Sequence, residues 1–331
     1  MTALIETRDV AKRFREAPSF GERIARLIGA GGEERTVHAV DGISLSVAKG
    51  EVLGLVGESG CGKSTLGRMI AGILPPSEGA ALIDGAPAMS GGARPVKTTT
   101  RVQMVFQDPF ASLDPRMRIG DIIAEGPVAN GLIKPGEAAA DAARWLATVG
   151  LDPSAAQRYP HQFSGGQRQR IAIARALAMR PDALICDEPV ASLDVSIQAQ
   201  IVNLFLKLRR ELGLTMIFIS HDLSLVRHVS DRVAIMYLGR IVEIGMAREI
   251  FAAPRHPYTR ALLDSAPALR LDGEDAAGFK PIQGELPSPM DPPPGCHFHA
   301  RCPHADAKCR VEAPVLTGGV ACHHPLKEVL S

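Results

Sequence analysis

Gly57-Glu58-Ser59-Gly60-Cys61-Gly62-Lys63-Ser64-Thr65 is the stretch on which the reading of this chain turns. It matches GxxxxGK[ST], and its surroundings are those the pattern requires. Residues 51–56 (EVLGLV) form a continuous apolar run, read as a buried strand, and a helix is expected from about Lys63 to Leu74. The glycines let successive backbone N–H groups turn inward around phosphate oxygens, and the helix N-terminus adds positive potential. Lys63 is expected to reach the β- and γ-phosphates of a bound nucleotide, and the Ser64 hydroxyl to ligate Mg²⁺. A chance glycine turn is the bland alternative; the strand–loop–helix context argues against it.

Working outward, a second apolar run at 183–186 (ALIC) and a third at 215–219 (TMIFI) read as further buried parallel strands. Between them, Val195, Ile197, Ile201, Leu204, Phe205, Leu208 and Leu212 have the spacing of an amphipathic helix over 195–212. This strand–helix alternation predicts an α/β protein with a mostly parallel sheet covered on both faces. Residues 112–180 break it. They carry helical stretches, 137–149 and 166–180 among them, and are expected to form a helical insertion. Past Gly245 the composition shifts again, and 265–295 is rich in Pro and Gly (ELPSPMDPPPG), which marks a loop-rich extension.

Bulk properties narrow the function. The 331 residues are 46% hydrophobic and 22% charged, with a formal net charge of +1, so no nucleic-acid partner is expected. Three Tyr and one Trp are too few for a base-stacking platform. No run approaches the roughly 20 apolar residues of a membrane span, and the start MTALIETRDVAKRF lacks the pattern of a secretory signal. A membrane role is therefore expected to run through a partner. Of the six cysteines, Cys61 and Cys186 sit within motifs, whereas Cys296, Cys302, Cys309 and Cys322 crowd the last part of the chain. Such clustering in a cytoplasmic protein favours a metal over disulfides.

The chemistry-bearing residues extend beyond the loop. The run 183–186 ends in Asp187, placed to hold Mg²⁺, and Glu188, placed to polarise the attacking water as general base. Many phosphate-loop enzymes share that much. The discriminating piece is Phe163-Ser164-Gly165-Gly166-Gln167-Arg168-Gln169-Arg170, shortly before the Asp187 strand. Here the chain resembles the ABC ATPase family, whose signature is LSGGQ at this position. The resemblance implies the P-loop NTPase fold with a parallel core sheet, an antiparallel β subdomain and a helical insertion. It implies that Ser164, Gly165, Gly166 and Gln167 close over ATP held by a partner subunit. It makes Gln107 the Q-loop residue that contacts Mg²⁺ and senses the membrane partner, Asp194 in ASLD the D-loop aspartate, and His221 the histidine that contacts the γ-phosphate. Phe14 in VAKRF takes the place of the aromatic that stacks on adenine, with a core Phe as the alternative.

Within that family, AVDGISLSV, VFQDPFASLDPRM, YPHQFSGGQRQRIAIARAL, DVSIQAQIVNL, HPYTRALL and GCHFHARCPHADAKC are similar to the ATPases of oligopeptide/dipeptide importers. The resemblance implies ATP and Mg²⁺ as ligands, two transmembrane permease subunits, a second ATPase subunit (heterodimer, with homodimer as the alternative), and an indirectly coupled substrate-binding protein. It places the chain at the cytoplasmic face of the bacterial inner membrane. Peptides are the expected solute, with nickel chelates and glutathione as alternatives. GKSTLGR and the insertion before residue 37 look more like the F-type partner of the paired ATPases. Residues 1–253 are expected to form the nucleotide-binding domain and 254–331 the extension. The four thiols of that extension suit a [4Fe–4S] cluster or Zn²⁺; the resemblance favours the cluster. His297, His299, His304 and His323 lie near enough in sequence to replace a thiol. Tandem ATPase domains and long coiled-coil insertions, the marks of non-transport relatives, do not occur in the sequence.

Overall fold

The strands read as buried are buried along their whole length: β3 (Val52–Val56), β7 (Ala183–Asp187) and β8 (Thr215–Ile219). Runs of this kind fit only a sheet covered on both faces. The computed structural model describes residues 2–15, 36–92, 94–265, 282 and 284–326. The insertion read at 16–36 lies outside the described residues apart from Thr36, which opens β2 (Thr36–Ala48).

A six-stranded sheet has the order β10-β9-β3-β8-β7-β6, with β6 at Val102–Val105, β9 at Arg232–Tyr237 and β10 at Arg240–Met246. Its pairs are parallel except for the β9–β10 hairpin. An antiparallel sheet of four strands, β2-β1-β4-β5, packs beside it, with β1 at Ala3–Arg15, β4 at Glu78–Ile83 and β5 at Ala86–Pro87. One apolar cluster fills the space between the two sheets (Ile5, Val40, Leu53, Leu66, Met69, Ile217).

Helix α1 (Lys63–Ile70) follows the glycine-rich loop 57–62. It stops short of the expected Leu74 because Gly72 adopts φ +67°, and a Cβ there would lie 2.9 Å from the Ala88 carbonyl oxygen. The insertion is helical as expected: α2 (Ile119–Ala129), α3 (Ala138–Thr148) and α4 (Gly165–Ala178) pack on one another. Helix α5 (Val195–Leu212) has the bounds that its apolar spacing predicts, and α6 (Leu223–Val229) and α7 (Ala247–Ala252) follow.

The extension shares the core of the rest. Helix α8 (Pro257–Ser265) brings in Tyr258, and Phe298 enters from the turn before His299; both are buried in the same apolar cluster as Val56 and Tyr237. Residues 319–321 bond along β10, Ile244 N–H to Gly319 O at 2.8 Å and Ala321 N–H to Val242 O at 2.8 Å, covering that sheet edge. Helix α9 (Ala307–Val311) is capped by the Asp306 carboxylate, which accepts the Cys309 N–H.

Candidate nucleotide-binding site

Four strands of the parallel sheet deliver the predicted residues to their C-terminal ends: the loop 57–62 after β3, Gln107 after β6, Asp187 and Glu188 at the end of β7, and His221 after β8. That end of an open parallel sheet is where such folds bind ligands. The loop is tightly specified. A Cβ on Gly57 would lie 2.1 Å from the Met236 carbonyl oxygen, and one on Gly62, which has φ +106°, would lie 1.9 Å from that of Ala39. Only glycine fits either position. Lys63 is buried, and its ammonium donates to the carbonyls of Gly57 (2.8 Å) and Glu58 (2.9 Å).

The Ser64 hydroxyl donates to Asp187 Oδ1 at 2.7 Å, so the two oxygen ligands expected for Mg²⁺ already meet. Burial pushes the Asp187 carboxyl above its ordinary range, and the Ser64 bond works against that shift. Next to it, Glu188 holds φ +44°, an unfavourable backbone conformation for a side chain with a Cβ. Its N–H donates to Ile219 O at 3.0 Å, which pins the turn to β8. Its carboxylate accepts the Gln107 amide at 3.0 Å and lies 3.4 Å from His221 Nδ1. Gln107 and His221, which the family resemblance singled out, and Glu188 form one polar arc.

The other predicted residues form a second patch. Ser164 caps α4 reciprocally: its hydroxyl accepts the Gln167 N–H (3.4 Å) while Gln167 Oε1 accepts the Ser164 N–H (3.0 Å). A Cβ on Gly166 would meet Ile197 at 2.5 Å and one on Gly165 would meet Leu193 at 3.4 Å, so this helix start packs on the Asp194 segment. Asp194 itself begins α5, its carbonyl accepting the Gln198 N–H. Phe14 is 41% exposed with the Lys12 ammonium 5.3 Å from its ring centre, which removes the alternative that it is a core residue. Cys61 and Cys186 are both buried, and burial raises both thiols. Cys296, Cys302, Cys309 and Cys322 line one small cavity with His299 and His304. Burial raises each of these thiols, Cys322 to about 11, where the three other sulfurs add to the effect. The donor atoms of Asp306, Cys309 and His324 lie within 4.8 Å of one another.

Two family models match the chain: "ABC transporter" over residues 40–191 and "Oligopeptide/dipeptide transporter, C-terminal region" over 242–309. The oligopeptide transport ATP-binding protein AppF of Bacillus subtilis (strain 168) is 48% identical over 327 residues, 97% of each chain. The chain belongs to the ATP-binding subunits of ABC transporters. The di/tripeptide transport ATP-binding protein DppF of Pseudomonas aeruginosa (strain UCBPP-PA14) is 48% identical over 297 residues, 87% of this chain and 90% of that one. Among solved structures, cbiO1 of Clostridium perfringens, part of the ABC transporter complex cbiONQ, is 28% identical with a TM-score of 0.59, covering 76% of this chain and 91% of that one. A dimeric ATP-binding cassette, MJ0796 bound to ADP and phosphate in a post-hydrolysis state, is 25% identical with a TM-score of 0.59, covering 74% and 99%.

Against this ABC ATPase fold, three contacts had no signal in the sequence. The Tyr258 hydroxyl accepts the Glu58 N–H at 3.0 Å, and Arg301 bonds the Glu58 carboxylate across 243 positions. The Arg168 guanidinium sits 3.7 Å from the centre of the Phe110 ring and donates to Pro160 O at 2.7 Å, tying the segment after Gln107 to helix α4. Each partner is an ordinary residue in its local context; only the fold brings them together.

Proposed function

We propose that this ABC ATPase drives uptake of oligopeptides or dipeptides, working as one of two ATPase subunits beneath two membrane permease subunits. Residues 1–253, with the helical segment 112–180, form the nucleotide-binding unit in this reading, and 254–331 the extension. The observation that carries the motor role is the joining of Ser64 to Asp187 and of Gln107 and His221 to Glu188 at one end of the sheet. The solute class is supported by the names of relatives 48% identical to the chain.

In this mechanism the loop 57–65 cradles the triphosphate, Lys63 turns from its two carbonyls to the β- and γ-phosphates, and Phe14 stacks on the adenine. Ser64, Asp187 and Gln107 hold Mg²⁺, which neutralises charge on the phosphate oxygens when bound. Glu188, oriented by Gln107, accepts the proton of the attacking water, and His221 contacts the γ-phosphate. Ser164, Gly165, Gly166 and Gln167 serve the ATP of the partner subunit, with Asp194 at the interface between them. A groove beside Gln107, lined by Ile73, Phe106, Asn130, Arg175 and Met179, receives the permease at the cytoplasmic face of the membrane. None of the described helices is long and apolar enough to cross a membrane.

A second reading concerns the extension. Cys296, Cys302, Cys309 and Cys322 face one cavity, a donor set that fits a thiolate-bound [4Fe–4S] cluster, with zinc as the alternative. Such a group staples a segment that has little core of its own. Anaerobically purified protein that is brown, and colourless after Cys302→Ser, supports the cluster; a colourless protein with one zinc rejects it.

The transport reading is tested by purifying the tagged chain from its own membranes. Two multi-span proteins and a sister ATPase should accompany it, and reconstituted vesicles should take up peptide only with ATP. ATP hydrolysis with no permease partner, or with ribosomes instead, would remove the importer.

A further inference from the structure

Glu58 is held more completely than a loop residue needs for its own fold. It is the second residue of the phosphate loop, and its carbonyl accepts the Lys63 ammonium at 2.9 Å. Its N–H is committed to the Tyr258 hydroxyl at 3.0 Å. Arg301 Nη1 donates to both oxygens of its carboxylate, at 2.9 and 3.1 Å. The Arg301 side chain is only 6% exposed, and that of Glu58 21%. Tyr258 and Arg301 both belong to the extension. They are fixed there by an aromatic cluster in which the Tyr237 and Tyr258 rings lie 4.6 Å apart and Phe298 stands 5.3 Å from each. Arg301 itself closes a short 3₁₀ turn (His299–Arg301) whose backbone bonds run Arg301 N–H to Phe298 O and Cys302 N–H to His299 O.

The chemistry of a phosphate loop explains why such clamping matters. A bound triphosphate is a dense negative charge, and an unpaired carboxylate in the same loop repels it. A buried guanidinium bonded to both carboxylate oxygens offsets that charge and fixes its direction, which a solvated lysine at the surface would not do. The arrangement also links extension and nucleotide through one residue: Arg301 to the Glu58 carboxylate, the Glu58 carbonyl to Lys63.

We propose that Arg301 is a positioning residue of the nucleotide site, holding and neutralising Glu58 so that the loop and Lys63 are set for ATP. The extension is then a working part of the ATP site rather than an appendage. This rests on the ATPase reading above.

The test uses the purified full chain, Mg²⁺ and a fluorescent ATP analogue, with ATP turnover measured in parallel. Arg301→Gln, which leaves the Glu58 carboxylate unpaired beside the triphosphate, should raise the Kd of the analogue and the KM for ATP at least about fivefold, the lower end of usual coupling between sites, whereas Glu58→Gln, which removes that carboxylate, should leave both within about twofold. The kcat at saturating ATP should change less, because the interaction acts on binding of the ground state as well as on the transition state. The double variant should bind more tightly than Arg301→Gln, because it also removes the carboxylate that the single leaves unpaired, and Arg301→Lys should recover part of the loss. A folded Arg301→Gln with a Kd within about twofold of wild type, or a double variant that binds no more tightly than Arg301→Gln, would overturn the proposal. Should Arg301→Gln not fold, Glu58→Asp decides, because it keeps the negative charge but draws it back from the guanidinium: a Kd raised more than about twofold supports the proposal and a Kd within about twofold overturns it. Wild-type protein that fails to bind the analogue would instead sink the ATPase reading.

Discussion

Replacing Glu188 by Gln tests the catalytic arc most directly, because the structure separates what the variant should lose from what it should keep. The amide is isosteric with the carboxylate, and its oxygen can still accept the Gln107 bond now made at 3.0 Å. The Glu188 N–H to Ile219 bond and the φ of +44° are backbone properties that the change leaves in place. What disappears is the basic oxygen and its negative charge. A positioned general base contributes a factor of about 10²–10⁴, which corresponds to roughly 2.7–5.5 kcal/mol in the barrier. Stability should not fall. Besides burial, the Glu188 charge helps to push the Asp187 carboxyl upward, so its removal relieves a repulsion between neighbours. We therefore expect phosphate release to drop by about 10²–10⁴, ATP binding by equilibrium titration to persist, and Tm to stay level or rise. A folded variant that hydrolyses ATP within about tenfold of wild type would take the base role away from Glu188. A variant that also loses ATP binding would show the side chain to be part of the cradle instead.

Further outcomes follow from the same contacts. Gly62→Ala should cost more than about 2 kcal/mol in urea unfolding, because its Cβ meets Ala39 O at 1.9 Å, while Gly60→Ala, with nothing within 4 Å, should cost only about 1 kcal/mol for its positive φ; equal costs would refute the close-approach argument. Phe298→Ala should destabilise by about 3–5 kcal/mol in the same assay, since the ring is 1% exposed and packed on Tyr237 and Tyr258; a change below about 1 kcal/mol would show that the extension folds independently of that cluster. Burial lowers His256 to about 4 from the ordinary 6.5, so the folded state resists a proton that the unfolded state accepts. Its contribution is complete above pH 6.5 and is lost as the pH falls towards 4, up to about 3 kcal/mol. Unfolding measured at both ends of that window should show a smaller fall for His256→Phe, and parallel curves for the two proteins would refute the assignment.

How much of this was legible in the sequence depends on how local the cause is. Helix α5 was read with its observed bounds because its apolar spacing is a property of consecutive residues. The same holds for β8 and for the loop 57–65. Helix α1 was overestimated by four residues, because what ends it is the approach of Gly72 to Ala88, a contact between distant segments. For the same reason Phe14 could be read as core or as surface: its strand has buried positions on one side, and only the paired sheet shows which side a given residue takes.

The site divides along the same line. Lys63, Asp187 and Glu188 were read from the glycine-rich loop and the end of an apolar run, Gln107 and His221 from the family resemblance, and their meeting at one end of the parallel sheet is what such a sheet does with residues that follow its strands. No such rule relates residue 58 to residue 301. A carboxylate inside a phosphate loop is unremarkable by composition, and an arginine between two cysteines reads as part of a metal-binding tail. Their pairing is a consequence of Phe298 and Tyr258 entering the core beneath β9, which carries Tyr237 to the same place. Once those rings are buried, the turn between Cys296 and Cys302 has little freedom, and the Arg301 side chain is delivered to the loop with its charge already desolvated. A buried guanidinium without a carboxylate would be costly. The loop proposed to cradle phosphate therefore also completes the fold of the extension, and this reciprocity is why damage on either side should be read at the other.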